Sequence, residues 1–134
     1  MPVIQSQVDP CSAPFARNRA AMLVGIENVR QLEQNLLDKA AEAKARFEKR
    51  GQLLPRDRLN LLLDPGAPFL ELASLAGYKL HDDKDGSLAG GGLIAGIGYV
   101  SGVRVLVVAN NSAIKGGTIS PSGLKKSLRL QQIA

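Results

Sequence analysis

Two apolar runs near the C-terminus constrain the fold of this chain more than any other feature. "GLIAGIGYV" (92–100) and "VRVLVVA" (103–109) are rich in β-branched residues and are separated only by Ser101-Gly102. Such a spacing predicts an antiparallel hairpin with a tight, glycine-containing turn. Gly96 and Gly98 lie two residues apart and therefore face the same side of their strand, which leaves that side flat. We expect another backbone or a helix to approach there.

The N-terminal half reads as an arm followed by helices. Pro2, Pro10 and Pro14 predict an irregular arm over 1–20. A helix is predicted over 28–50, because its apolar residues keep helical spacing and Gly51 suits the position after a helix end. Asn28 with Gln31 resembles a capping box at its start. The apolar positions of this helix are Val29, Leu32, Leu36, Ala40, Ala43 and Phe47.

Shorter elements follow that helix. Pro55 is placed to begin a helix over about 55–63, and "DPG" at 64–66 should turn the chain. "PFLELASLAGY" (68–78) has a weak pattern and is interpreted as a loop or a short helix. A polar, glycine-rich loop is expected at 81–92.

The last predicted helix begins at Pro121 with Ser120 as its N-cap. The spacing of its apolar residues predicts one stripe made of Leu124, Leu128 and Ile133. The basic residues of this segment would then lie largely on the opposite side. These are Lys125, Lys126 and Arg129.

Charge is distributed unevenly along the chain. All 12 acidic residues lie at or before Asp85, and five of the 17 basic residues follow it, so the net charge of +5 belongs to the C-terminal third. This pattern favours a polyanionic partner, either a nucleic acid or a phosphate-bearing small molecule, although a solvated basic face would look the same. The five residues are Arg104, Lys115, Lys125, Lys126 and Arg129.

The junction "NNSAIKGGTISPSGLKK" (110–126) carries the strongest chemical signal. It places a glycine-rich loop between a strand and a helix N-terminus, where backbone N–H groups and the helix dipole favour an anion or oxyanion. The candidate binding residues are Lys115, Gly116, Gly117 and Thr118. The loop lacks the spacing of a P-loop. The G-x-G-x-x-G-like spacing in "GGGLIAGIG" does not follow a strand or open a helix, which excludes a dinucleotide fingerprint.

Other chemistries find little support in the sequence. His81, Asp82, Asp83 and Asp85 are nearly consecutive and cannot all face one metal ion from a regular element, so a solvated loop is favoured and no metal site is expected. Cys11 is the only cysteine, which excludes an internal disulfide and suits a reducing cytoplasm. No segment resembles a secretory signal or a membrane span, and we expect a cytoplasmic protein without a membrane partner.

"RDRLNLLLDPGAPFLELASLAGY" (56–78), together with the sequence from 90 to 134, resembles the start of the carboxyltransferase (β) subunit of biotin-dependent acyl-CoA carboxylases. The specific features are the R-x-R-[IL]-x-x-L-L-D-P-G-[SA]-P-F-x-E pattern, the glycine-rich hairpin and the K-G-G-[TS] loop. The chain is most similar to the subunits acting on 3-methylcrotonyl-CoA and geranyl-CoA. Asn111, where the methylcrotonyl type has Asp, and "GSLAGGG" (86–92) favour the geranyl-CoA type.

The resemblance implies a crotonase-like α/β fold of ββα units, present here as an α+β N-terminal part preceded by helices. Residues 1–27 would form an arm, and 28–134 the incomplete start of the carboxyltransferase N-domain. It further implies that the 115–118 loop binds the CoA part of an acyl-CoA and that biotin arrives on a partner α subunit, which carries the biotin carboxylase and biotin carrier functions. The β subunits would assemble into a homo-oligomer, expected to be a hexamer. The family's second oxyanion loop and biotin-binding domain are not found in the sequence, so we expect no catalytic residue here.

Two other classes remain open at this point. A basic nucleic-acid-binding module is disfavoured, because the five aromatic residues do not interleave with the basic cluster. A non-catalytic fragment that only oligomerises would use the 28–50 helix for its contacts.

Overall fold

The computed structural model describes residues 3, 5–80 and 83–134. The chain divides into two compact units, Met1–Leu32 and Glu33–Ala134. The boundary falls within the first helix. His81 and Asp82, two of the four residues that were considered and rejected as a metal site, lie outside the described residues.

Helix α1 covers Ala13–Ala41, so the irregular arm predicted over 1–20 is wrong from Ala13 onward, while residues 3 and 5–12 contain no helix or strand. Ser12 caps its start, since the Phe15 N–H donates to Ser12 Oγ at 3.3 Å. Pro14 lies in the first turn, where the missing N–H of proline costs nothing. Pro10 and Pro14 therefore precede or open a helix instead of preventing one. The predicted capping box at Asn28 and Gln31 is wrong because both residues lie inside α1.

The predicted 28–50 helix is interrupted. α1 ends at Ala41, and a separate helix α2 spans Lys44–Glu48. Ala43 and Phe47 are buried against Ala113, so the predicted apolar positions are right at this end of the helix. Gly51 has φ +64, and its N–H and that of Gln52 reach back to the carbonyls of Glu48 and Phe47, the hydrogen-bond pattern of a Schellman motif.

Helix α3 covers Pro55–Leu62, with Pro55 in its first turn as predicted. Asp64 then starts a turn in which its carbonyl accepts from the Ala67 N–H at 3.1 Å and Gly66 has φ +77. The segment after it contains a strand, β1 (Leu70–Glu71), where a loop or short helix was predicted. Two residues are too few to give a strand pattern; pairing with a distant strand defines β1.

Strands β2 (Leu93–Val100) and β3 (Val103–Asn110) form the predicted hairpin. Their register runs from Leu93 opposite Asn110 to Val100 opposite Val103. Ser101 and Gly102 have φ of 52° and 76°, as a type I′ turn requires. The sheet order is β1-β2-β3, all antiparallel, with β2 in the centre and its first four residues buried.

The flat glycine face of β2 is covered within the chain. A Cβ at Gly96 would lie 2.5 Å from both the Leu70 carbonyl oxygen and the Phe69 ring, and one at Gly98 would lie 2.7 Å from the Leu63 side chain. The expected close approach of another backbone is confirmed.

Helix α4 covers Pro121–Ile133 and begins as predicted, with Ser120 Oγ accepting from the Gly123 N–H at 3.1 Å. The side of α4 that is buried is the opposite of the predicted apolar stripe. Gly123, Lys126 and Leu130 are buried. Leu124 and Leu128 are 57% and 53% exposed. The order β2, β3, α4 forms one ββα unit.

None of the helices in the described part of the chain has the length and hydropathy needed to cross a membrane.

Candidate functional site

The loop after β3 adopts an unusual backbone conformation. Lys115, Gly116 and Gly117 have successive φ values of 45°, 66° and 81°. This conformation is accessible to glycine and strained for lysine, which explains the two glycines in the sequence. The Thr118 hydroxyl closes the turn by donating to the Lys115 carbonyl at 3.0 Å. The loop therefore has a defined conformation, held by its own hydrogen bonds.

The four residues predicted to bind an anion differ in what they offer. Lys115, Gly116 and Thr118 are exposed, and a Cβ at Gly116 would meet no atom within 4 Å. A ligand could therefore approach the backbone at Gly116. The Gly117 N–H already donates to the Ile114 carbonyl at 3.0 Å, so this group is engaged inside the loop.

A cavity of about 310 Å³ lies beside this loop. Lys115 and Thr118 line one side, and Ser120 and Ser122 bring the first turn of α4 to it. The positive end of the α4 dipole and two hydroxyl groups thus face the same space as the lysine. This arrangement suits a ligand that carries phosphate or another anionic group and extends over an apolar floor. The floor includes Leu80, Leu88, Ile114 and Ile119.

One carboxylate also lines the cavity. Asp83 is buried and accepts hydrogen bonds from the backbone N–H groups of Lys79 at 3.0 Å and Leu88 at 2.9 Å. Both contacts are local and hold the 79–88 loop in shape. In the part of the chain that the structure describes, no three potential ligands of the His, Cys, Asp or Glu type lie close enough to hold a metal ion.

Glycines let the cavity wall pack closely on α4. Gly90, Gly91 and Gly92 all have positive φ, of 95°, 67° and 77°. A Cβ at Gly91 would lie 2.5 Å from the Gly123 Cα, and one at Gly92 would lie 2.6 Å from the Thr118 carbonyl oxygen. The 90–92 segment therefore contacts both the start of α4 and the end of the candidate loop through backbone alone.

Lys126 joins these parts and was missed by the sequence analysis. Its side chain is 5% exposed, and Nζ donates to the carbonyls of Leu93 at 2.7 Å and Gly90 at 3.2 Å. Burial lowers the pKa of Lys126 to about 8, with Glu71 opposing the shift and Arg56 adding to it. The only sequence signal was its helical spacing from Gly123 and Leu130.

A second cavity, of about 390 Å³, lies between the end of α1, α3 and the sheet. The ion pair between Arg56 and Glu71 lines this cavity and joins α3 to β1. Its guanidinium nitrogens lie 2.8 and 3.1 Å from the carboxylate oxygens. Asn111 also lines it. Among the described residues, Asn111 Oδ1 is the one buried side-chain N or O atom without a hydrogen-bond partner.

Comparison with known proteins places these features in a family. Residues 46–134 match the family described as the carboxyl transferase domain. The structure of the geranyl-CoA carboxylase β subunit from P. aeruginosa superimposes with a TM-score of 0.86 at 71% identity, over 99% of this chain and 25% of that one.

Curated relatives agree with this match. A probable methylcrotonoyl-CoA carboxylase β chain, mitochondrial, of Drosophila melanogaster is 41% identical over 98% of this chain and 23% of its own length. The biotin-dependent 3-methylcrotonyl-coenzyme A carboxylase β1 subunit of Mycobacterium tuberculosis is 50% identical over 69% of this chain and 17% of its own length.

The match over residues 46–134 shows that this chain belongs to the carboxyl transferase domain family. Its relatives are β subunits of acyl-CoA carboxylases, which confirms the predicted family and the crotonase-like α+β architecture. The chain spans about a quarter of the length of the geranyl-CoA carboxylase subunit.

Proposed function

We propose that this chain forms the N-terminal part of a carboxyltransferase subunit that transfers a carboxyl group from carboxybiotin to an unsaturated, branched acyl-CoA. Geranyl-CoA is favoured over 3-methylcrotonyl-CoA. The observation that carries the proposal is the cavity framed by the 115–118 loop and the first turn of α4. The identities of 71% with a geranyl-CoA subunit and 41% with a methylcrotonoyl-CoA chain support the choice of substrate.

In this proposal the chain contributes to binding the CoA moiety. Lys115 and the N-terminus of α4 provide positive potential for phosphate groups. The hydroxyls of Ser120 and Ser122 add hydrogen-bond donors, and open space beside Gly116 lets a ligand approach the backbone. The domain assignment of 28–134 to the start of the carboxyltransferase N-domain belongs to the same proposal.

Partners and location complete the proposal. Biotin would be delivered by a separate α subunit, in keeping with the biotin-dependent relative from M. tuberculosis. The β subunits would assemble as a hexamer in the cytoplasm. The family resemblance supports the α-subunit partner and the hexamer, and isolation of the assembled complex with mass determination tests both. The single cysteine supports the cytoplasmic location.

Replacement of Lys115 tests the binding role. In a carboxylase assembled around this sequence, Lys115→Ala should weaken kcat/KM for the acyl-CoA by about 1–2 kcal/mol, the scale of one charge-assisted contact. Lys125→Ala removes the same charge from the exposed side of α4 and is the matched control. Steady-state kinetics with geranyl-CoA and 3-methylcrotonyl-CoA also compares the two substrates. Unchanged kinetics for Lys115→Ala would exclude Lys115 from the site.

A further inference from the structure

The side chain of Lys126 occupies a position where an apolar residue would ordinarily lie. It comes from the inner side of α4, between the buried residues Gly123 and Leu130, and is itself 5% exposed. Transferring a lysine head group from water into such a site costs free energy that a leucine or methionine would not incur. Packing alone therefore does not account for a lysine here.

The two acceptors of Lys126 explain what the lysine provides. Gly90 and Leu93 flank the 91–92 segment, and their carbonyls accept hydrogen bonds from Lys126 Nζ at 3.2 and 2.7 Å. The same segment is fixed on its other sides, since the Gly90 N–H donates to the Ala76 carbonyl and the Gly92 carbonyl accepts from the Asn111 N–H. Lys126 thus connects α4 by hydrogen bonds to the 90–93 backbone. That backbone is already hydrogen-bonded to the loop at Ala76 and to Asn111, directly after β3.

Helix α4 and the 90–93 segment, which Lys126 connects, both contribute walls to the cavity beside Lys115. Gly92 and Gly77 line it from one side, and Ser120 and Ser122 line it from α4. The clearances are small: a Cβ at Gly77 would lie 2.8 Å from the Ser122 side chain. A shift of α4 relative to 90–93 would therefore change the shape of the cavity.

We propose that Lys126 is a positioning residue for acyl-CoA binding. It holds the first turn of α4 against the 90–93 segment and so sets the geometry of the cavity at Lys115 and Thr118. This inference rests on the proposed function. Lys126 does not line the cavity, and its effect on the ligand is transmitted through α4 and the backbone of 90–93.

The test compares Lys126→Met with Lys125→Met in a carboxylase assembled around this sequence. Methionine keeps most of the volume but removes the Nζ donor from the Leu93 carbonyl, and it leaves the Gly90 carbonyl with only the Leu93 N–H, at 3.2 Å. We expect the KM for acyl-CoA to rise about tenfold, as the loss of one such contact to a charged group implies, with kcat within about twofold of wild type. Lys125→Met, on the exposed side of the same helix, should change neither parameter.

The split between KM and kcat separates positioning from simple support of the fold. A purely structural role would lower the amount of active enzyme, and therefore the apparent kcat, while leaving KM unchanged; that result overturns the proposal. Lys126→Gln, which keeps N–H donors on a shorter side chain, should give an intermediate KM. If neither variant yields a folded subunit, Lys126 is a folding residue and the proposal fails. Absence of wild-type turnover would instead refute the proposed function.

Discussion

At the scale of single residues, Lys126 shows how burial changes a side chain's chemistry. Its neighbours Glu71 and Arg56 affect its pKa in opposite directions, and burial is the largest effect. The ammonium group loses water and gains two carbonyl oxygens, which do not fully replace its hydration. The native structure therefore holds a proton on Lys126 less tightly than the unfolded chain does.

This difference predicts a dependence of stability on pH. Between the native pKa of about 8 and the ordinary lysine pKa of 10.5, the unfolded chain binds more protons at this site, so the contribution to stability rises with pH. From pH 7 to 9.5, wild type should gain about 2 kcal/mol relative to Lys126→Met in the free energy of unfolding, at about 1.4 kcal/mol per pKa unit. Denaturant unfolding at several pH values measures it.

Lys125→Met provides the control for this measurement. Lys125 is exposed, so its removal should leave a difference from wild type that stays constant over the same pH range. A flat difference for Lys126→Met as well would mean that Lys126 is solvated in the native state.

At the scale of elements, the β2–β3 hairpin is joined to the turn after α3 by one carboxylate. Asp64 accepts from the N–H groups of Ser101 at 2.6 Å and Gly102 at 2.7 Å, and its own N–H donates to the Tyr99 carbonyl at 2.9 Å. These are the turn residues with positive φ, whose N–H groups would otherwise face solvent. The "DPG" sequence thus serves two turns, its own and that of the hairpin.

We predict that Asp64→Ala destabilises the chain by about 1–2 kcal/mol, because two charge-assisted hydrogen bonds are lost at a partly exposed site. Asp64→Asn retains one acceptor oxygen and should lose less. Asp57→Ala, an exposed carboxylate in the first turn of α3, should change stability by no more than about 0.5 kcal/mol. Thermal unfolding of the three variants ranks them, and equal losses at Asp64 and Asp57 would contradict the role assigned to Asp64.

At the scale of the whole molecule, the described residues leave substantial apolar surface in water. Met22, Leu23, Val24 and Ile26 are exposed on α1 within the first unit. In the second unit, Leu124, Leu128 and Ile133 are exposed on α4, the residues that the sequence analysis had assigned to one stripe. Exposed apolar surface of this kind promotes self-association.

We therefore predict that the 134-residue chain by itself self-associates and does not carboxylate an acyl-CoA. The reaction requires stabilisation of a thioester enolate and of a biotin enolate, and the described residues offer one candidate cradle, at 115–118. Sedimentation analysis and label transfer from a carboxybiotin donor to geranyl-CoA measure the two properties. Leu124→Glu with Leu128→Glu should raise the monomer fraction. A monodisperse chain with turnover would refute this prediction.

The sequence alone was sufficient wherever the deciding interactions are local. Ser101-Gly102 sets the hairpin turn, Ser120 caps α4 within three residues, and Pro55 and Gly51 mark a helix start and a helix end through their own backbone preferences. The family patterns at 56–78 and 90–134 could also be recognised from the sequence. The 115–118 loop forms a defined turn beside a cavity. Its role in binding stays a prediction.

Tertiary structure decided what depends on residues distant in sequence. β1 exists because Leu70 and Glu71 pair with Ile97 and Gly96, and the predicted 28–50 helix is interrupted where Ala43 packs on Ala113. On α4, helical spacing alone allowed Leu124 and Leu128 or Lys126 and Leu130 to be the buried side. The carbonyl of Leu93 favoured Lys126 on the buried side, since a buried acceptor needs a donor and that requirement appears only when the chain is folded.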